Sequence, residues 1–466
     1  MEHSGRDTLT RLPQIETLLQ SEELRPWIPR LSRPLVARLA AAAVDLARER
    51  IRAGEPFEGT EAVLRNVLDR CREAGTRRIH RVINATGVVL HTNMGRAPLS
   101  AAAWRAAAAV NTGYSNLELD LSTGKRGKRN GLVPDLLSLL VGSEGALMVN
   151  NNAAAVFLIL SCLAADRQVI VSRGEQVQIG GGFRIPEILA HAGAHMVEVG
   201  TTNITRLDDY TAALRPETSL VLIVHSSNFR LRGFTSRPSV RDLAAALPEG
   251  VLVVVDQGSG TTTERIPGET MVSRYLDSGA HLVSFSGDKV LGGPQAGLIA
   301  GRGDLIRTLS RHPLNRVFRP GKTIYSLMER TLVGRLNGEE DTPVQAALKL
   351  SMEELRQRGE TVLAGLPGAV LRLVDSTVTT GGGSAPDEHF PSLSIAVEAA
   401  VNPQSVLAAL RDRDPPIIGT IGDGGVRLNL ATLLPGDIET VREALGSILD
   451  EPAATNGPVS KKGGER

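Results

Sequence analysis

Between Val82 and Arg302 the apolar positions fall into short runs separated by amphipathic stretches. The runs are Ala146 to Val149, Val169 to Ser172, Met196 to Val199, Leu220 to Val224, Val251 to Val255, His281 to Ser284 and Ala296 to Ala300. Apolar runs of this length, alternating with helical spacing, predict a mainly parallel sheet covered on both faces. Ala153 to Ala165 is apolar all round but too short for a bilayer, and predicts a buried core helix. Upstream, Leu35, Leu39, Ala42 and Leu46 recur at helical spacing after Pro34. Val63, Val67 and Cys71 do the same after a cap at Thr60, with Gly54-Glu55-Pro56 as the break between the two helices. Arg302 to Arg335 predicts helix in large part. Thr342 and Pro343 predict the cap and first residue of one long helix to about Leu363, with Gly359 as its weak point. Short strands and helices follow to Asp450, and Thr379 to Pro386 predicts a flexible loop. Glu451 to Arg466 is rich in Pro, Gly, Ser and Lys without an apolar period, and predicts disorder. The expected organisation is a helical domain over 1–80, a large α/β domain over 81–340, a small α+β domain over 341–450 and a tail over 451–466.

Composition narrows the class. A hydrophobic content of 42% with 22% charged residues is that of an ordinary globular protein, and only 3% are aromatic, so Ala, Leu and Val must build the core. Lys+Arg 52 against Asp+Glu 51 leaves a net charge of +1, which argues against whole-surface nucleic-acid binding but not against a local patch. Such a patch has a candidate: histidines aside, every basic residue before Lys125 is arginine. Yet Asp45 and Glu49 share the helical face of Arg38 and Arg52, so charge alone favours a solvated helix surface. Cys71 and Cys162 form neither a metal spacing nor a disulfide framework, and Met1 to Asp7 lacks a basic, apolar leader. A cytoplasmic protein is expected.

The chemistry lies at strand ends. Val251 to Val255 runs into Asp256 and then Gly258-Ser259-Gly260; Ala280 to Ser286 runs into Gly287-Asp288-Lys289 and the Gly-rich Gly292-Gly293-Pro294-Gln295-Ala296-Gly297. Pyridoxal phosphate (PLP) needs an amine for its aldehyde and an anion for its ring nitrogen. Lys289 and Asp256 supply that pair where open α/β sheets place their ligands. A lone lysine after a strand is more often a solubility device; the upstream acid and the Ser286-x-x-Lys289 spacing reverse that. Ser286 is expected on the cofactor phosphate, together with Asn151, Asn152 and Ala153 at the start of the buried helix. His225 follows the strand Leu220 to Val224 and is equally readable as a cofactor contact or a structural histidine. Two arginine segments, His91 to Arg96 and His312 to Arg319, could hold an oxyanion, since Arg316 and Arg319 share a face if helical. The basic run Gly124 to Arg129 reads as a solvated loop unless a partner or nucleic acid meets it.

Taken together these segments resemble the bacterial selenocysteine synthases, the L-seryl-tRNA(Sec) selenium transferases. The resemblance rests on Arg81 to Ala97, Asn150 to Ala155, Gly181 to Pro186, His225 to Arg230 and Ser284 to Gly297, and runs from about Leu12 through the C-terminal domain. It implies the aminotransferase-like fold type I of PLP enzymes. It further implies conversion of seryl-tRNA(Sec) to selenocysteinyl-tRNA(Sec) through an aminoacrylyl-tRNA, with selenophosphate as selenium donor. A decameric ring of dimers and an N-terminal domain that grips tRNA(Sec) are also implied, which reweights the arginines up to Arg81. Lys289 would be the catalytic lysine, and Arg96, Arg316 and Arg319 match selenophosphate-binding positions. Three residues depart from the family pattern: Gln257 where an apolar residue is expected, Gly321 where an acid is usual and Thr420 where an arginine is common. The rival readings are a PLP lyase or aldolase acting on a free small amino acid, and a non-catalytic tRNA-binding protein.

Overall fold

The computed structural model describes residues 8–179, 182–225, 231–262, 266–339, 342–368, 370–381, 384–398 and 402–450. The expected tail over 451–466, Gly181, Ser226 to Arg230 and the Gly382-Gly383 pair lie outside the described residues. The chain divides into two compact units, Met1–Arg81 and Val82–Arg466.

The first unit packs the helices Arg33–Arg52 and Thr60–Thr76 with two short ones, Ile15–Leu19 and Trp27–Leu31. Val63, Val67 and Cys71 are buried as their spacing predicts. The buried face of Arg33–Arg52, however, is Val36, Ala40, Ala43 and Ile51 rather than the Leu35-Leu39-Ala42-Leu46 stripe. Small alanines at its centre let neighbouring helices approach, and the leucines flank the contact half-buried. On this unit's surface Arg33, Arg48 and Arg72 pair with Glu16, Asp45 and Asp69. Arg25, Arg38, Arg52, Arg77 and Arg78 are exposed without an acidic partner among the described residues.

The second unit is organised on a seven-stranded sheet. Its order in space is Gly145–Val149, Gly297–Gly301, Leu282–Ser286, Leu252–Gly258, Thr218–Val224, Gln168–Ser172 and His195–Val199. Gly297–Gly301 is antiparallel to both neighbours, and the remaining pairings are parallel. Every predicted strand is present. The three central strands are buried along most of their length because helices cover both faces, so their β-branched runs need no polar alternation. The core helix Asn152–Leu163 packs on this sheet through Ala155, Leu158 and Ile159. Arg302 to Arg335 is helical in the pieces Gly303–Arg311, Pro313–Val317 and Lys322–Asn337.

Two expectations are corrected. The single helix from Pro343 is two, Pro343–Lys349 and Met352–Leu363. The break falls at Ser351, whose side chain caps the second helix in a reciprocal bond with Glu354, and not at the buried Gly359. Thr379 to Pro386 is not a loop: Leu371–Gly381 and Ser384–Val397 are antiparallel strands paired from Leu371↔Val397 to Gly381↔Ser384. They belong to a four-stranded sheet with Thr420–Gly422 and Gly425–Asn429. Alternation along those strands is weak, which hid them. Among the described residues no helix is long and apolar enough to cross a membrane.

One acid is deeply buried between the sheet strands. Glu175, 5% exposed, sits in the turn after Gln168–Ser172 and accepts the Val224 N–H at 3.1 Å. Burial pushes its carboxyl up to about 7, against the opposing pull of that bond and of Arg237. The native chain therefore keeps a proton that the unfolded chain, titrating near 4.5, has already released. Stability falls as pH rises through that window. Glu175→Gln is expected to be more stable than the parent at pH 8, by up to about 3 kcal/mol, and indistinguishable from it below pH ~4.5. Urea titrations across pH measure this. At Gly297 an added Cβ would stand 2.1 Å from the Asn151 carbonyl oxygen, and this backbone cannot give way cheaply. Gly297→Ala is expected to lose about 3 kcal/mol in the same assay.

Candidate active site

Asp256 lies near the C-terminal end of the central strand, in register with Val224 on one side and Ser284 on the other. It is 4% exposed, and its Oδ1 accepts the Asn152 amide at 2.7 Å and the Ser284 hydroxyl at 3.1 Å. Burial pushes this carboxyl up; the two donors and the neighbouring Lys289 and His225 oppose it. The acid is oriented and desolvated, and its surroundings favour a cation against it.

Lys289 follows three residues after the strand Leu282–Ser286 and is 8% exposed. Its turn is closed by the Gly292 N–H on the Lys289 carbonyl and the Gly287 N–H on the Ala296 carbonyl, both 2.9 Å. Gly292 has φ +75°, and a Cβ there would meet the Thr342 hydroxyl at 2.4 Å, so only glycine fits. Burial pushes the Lys289 ammonium down, and the nearby Arg96 guanidinium acts in the same direction. A lowered ammonium supplies more free amine, the form that attacks an aldehyde.

Asn151 caps the core helix by accepting the Ala154 N–H at 2.8 Å, which leaves the first-turn N–H groups of Asn152 and Ala153 without intrahelical acceptors. While the Asn152 amide nitrogen holds Asp256, its oxygen is buried with no partner. Ser286 ends the next strand at 5% exposure. An oriented buried carboxylate, a buried amine and an open helix N-terminus lie together at one end of the sheet. Their chemistry fits a phosphorylated pyridine aldehyde, and the unpartnered Asn152 oxygen is a further polar atom for such a ligand.

His225 and Arg96 join this group. The His225 backbone N–H donates to the Asp256 carbonyl at 2.9 Å, and its Nε2 meets Glu269 Oε2 at 3.2 Å. Arg96 has a left-handed backbone, φ +64°, and its Nη1 donates to Asp288 Oδ2 at 2.9 Å. That contact docks the Arg96 segment on the residue next to Lys289. Gln257, fully buried, accepts the Gly260 N–H at 2.7 Å and donates to the Thr270 carbonyl at 3.2 Å. It pins the Gly258-Ser259-Gly260 turn, which accounts for a glutamine where an apolar residue was expected.

Arg316 and Arg319 do not share a helical face. The helix ends at Val317, because Pro320 follows and the Phe318 carbonyl is taken by the Asn150 N–H at 2.9 Å. Arg316 is exposed, while Arg319 approaches Glu118 Oε1 at 3.4 Å. Arg126 and Arg129 reach the same carboxylate at 2.7 and 2.8 Å, and the Arg129 hydrogen bond, with the three guanidinium charges, holds it below the usual range. The basic run therefore folds onto an acid that sequence reasoning passed over. Glu118, Asp288 and Glu269 were all missed. Asp288, an unexplained acid beside the lysine, was the one signal available; the other two meet their partners only in space.

A family model described as L-seryl-tRNA selenium transferase (SelA) matches residues 82–434. An L-seryl-tRNA(Sec) selenium transferase of Moorella thermoacetica is 42% identical over 463 residues, covering 96% of this chain and 98% of that protein. One from Geobacter sulfurreducens is 41% identical over 455 residues, covering 94% and 98%. Among solved structures, a D-glucosaminate-6-phosphate ammonia-lyase superposes with TM-score 0.60 at 18% identity, over 82% of this chain and 98% of that one, and so shares the fold. With residues 82–434 matched by the family model and nearly the whole length matched by these relatives, this chain belongs to the L-seryl-tRNA selenium transferase family.

Proposed function

We propose that this protein converts the serine carried by tRNA(Sec) into selenocysteine, with PLP as cofactor, Lys289 as its covalent anchor and selenophosphate as selenium donor. The observation that carries the reading is the buried Lys289 and Asp256 at neighbouring strand ends, an amine and an oriented carboxyl suited to the aldehyde and the ring nitrogen of this cofactor. When bound, PLP supplies an aldehyde for amines and a ring that withdraws electrons from the serine Cα. Asp256, aimed by Asn152 and Ser284, would hold the proton on the ring nitrogen. Asn152, Ala153 and Ser286 would hold the phosphate, with Asn151 fixing the helix start they use. His225, beside Asp256, would contact the cofactor ring. The Lys289 Nζ would accept the serine Cα proton and serve as the acid–base group. Arg96, Arg316 and Arg319 hold the phosphate of the selenium donor.

The tRNA is proposed to engage the unit Met1–Arg81, supported by its exposed arginines Arg25, Arg38, Arg52, Arg77 and Arg78. Self-association, as a homodecamer on the family pattern, is proposed from the exposure of Trp104 at 55%, Leu121 at 74% and Tyr114. A cytoplasmic location goes with this tRNA-dependent reading.

The test is to incubate the purified protein with PLP, seryl-tRNA(Sec) and selenophosphate and identify the amino acid released from the tRNA. Selenocysteine is expected, and serine alone, despite bound cofactor, overturns the reading. Lys289→Ala is expected to abolish both the visible absorption of the bound cofactor and turnover, a loss of at least ~1000-fold. Arg316→Ala with Arg319→Ala is expected to spare serine dehydration while raising the selenophosphate KM roughly tenfold or more. Loss of dehydration in that variant would assign those arginines another task.

A further inference from the structure

Glu269 is the most completely engaged acid near Lys289. Its side chain is 1% exposed, in a segment with no periodic pattern. Oε2 meets His225 Nε2 at 3.2 Å and accepts the Ser259 hydroxyl at 2.7 Å, while Oε1 accepts the Ala385 N–H at 2.9 Å. On the other side of the imidazole, the Tyr275 hydroxyl lies 3.3 Å from Nδ1. Both ring nitrogens thus have a buried partner, and turning the ring would break both contacts. Burial pushes the Glu269 carboxyl up, but His225 and the Ser259 and Ala385 donors outweigh it and hold it below the usual range. An acid with every contact at this depth made to a named donor serves specific partners, since burial strongly disfavours an unpaired charge.

The third contact reaches further. Ala385 belongs to the strand Ser384–Val397 of the four-stranded sheet, whereas His225 and Ser259 follow strands of the seven-stranded one. One carboxylate therefore joins the ring beside Asp256 to the other sheet.

We propose that Glu269 is a positioning residue: it fixes the His225 imidazole against the cofactor ring and ties that ring to the hairpin carrying Ala385. The inference rests on the reading of Lys289 and Asp256 as the PLP site. It is tested by titrating cofactor-free protein with PLP and recording the dissociation constant and the visible band, in the parent, Glu269→Gln, His225→Asn and the double variant. Glu269→Gln keeps the shape of the side chain and removes its charge. It is expected to weaken PLP binding roughly tenfold and to move the band, yet to change affinity less than about twofold in the His225→Asn background. An equal loss in both backgrounds overturns the proposal, because a merely structural acid would act without the histidine. No loss in either background overturns it as well. Should Glu269→Gln fail to fold, Glu269→Asp, which keeps the charge but shortens the arm, is read in the same cycle by the same criterion. A parent protein that develops no visible band with PLP would instead remove the cofactor reading itself.

Discussion

Two ionisable groups, Asp256 and Lys289, stand in the interior at the edge of the central strands, and their desolvation organises the surrounding structure. Burying a charge costs several kcal/mol, on the order of 3 or more, unless hydrogen bonds or an opposite charge offset it. Around Asp256 the offset comes from Asn152 and Ser284, contributed by a helix start and the adjacent strand. Around Lys289 it is incomplete: burial and Arg96 both disfavour the ammonium, and three carboxylates pull the other way. Such a site is poised for a ligand that brings its own ring charge and its own aldehyde. That chemistry fits the pyridoxal phosphate to which family membership points.

The apolar frame makes this arrangement affordable. Central strands buried on both faces, with Val253, Val255, Val283 and Phe285 fully covered, hold their C-terminal ends rigid, and each buried side chain contributes about 1.5–3 kcal/mol. Glycines then let the chain turn sharply where the chemistry sits. Gly292 closes the lysine turn, and Gly297 lets the antiparallel strand pass under the Asn151 cap. The same tightness explains why substitutions at these glycines act on the site and the core together.

A second tier of acids orients the basic side chains. Asp288 holds Arg96, Glu118 gathers Arg126, Arg129 and Arg319, and Glu269 holds His225. Asp288 and Arg96, Glu118 and Arg319, and Glu269 and His225 are distant in the chain, and each pairing keeps a long or rotatable side chain in one orientation. Arginines that are pre-organised in this way lose less entropy when an anion arrives.

Strands, the core helix, the lysine with its upstream acid and the Asn151-Asn152-Ala153 start were legible in the chain, because local periodicity and short-range spacing encode them. Lys289 and Asp256 could be singled out for the same reason: each ends an apolar run. The hairpin through Thr379 to Pro386 was not legible, since its strands are stabilised by pairing partners rather than by alternation, and glycines there resemble a loop. Neither was the break at Ser351, where a reciprocal cap outcompetes continued helix although Gly359 is the weaker helix former. Local spacing could not place Arg319 either, because the Asn150 contact on Phe318 and the following proline end its helix. The amino-acid order alone singled out the candidate residues for the chemistry and the segments that form the sheet. Tertiary packing alone decided how Glu118 meets Arg319, Asp288 meets Arg96 and Glu269 meets His225, because such contacts depend on separation in space, and no periodicity along the chain records it.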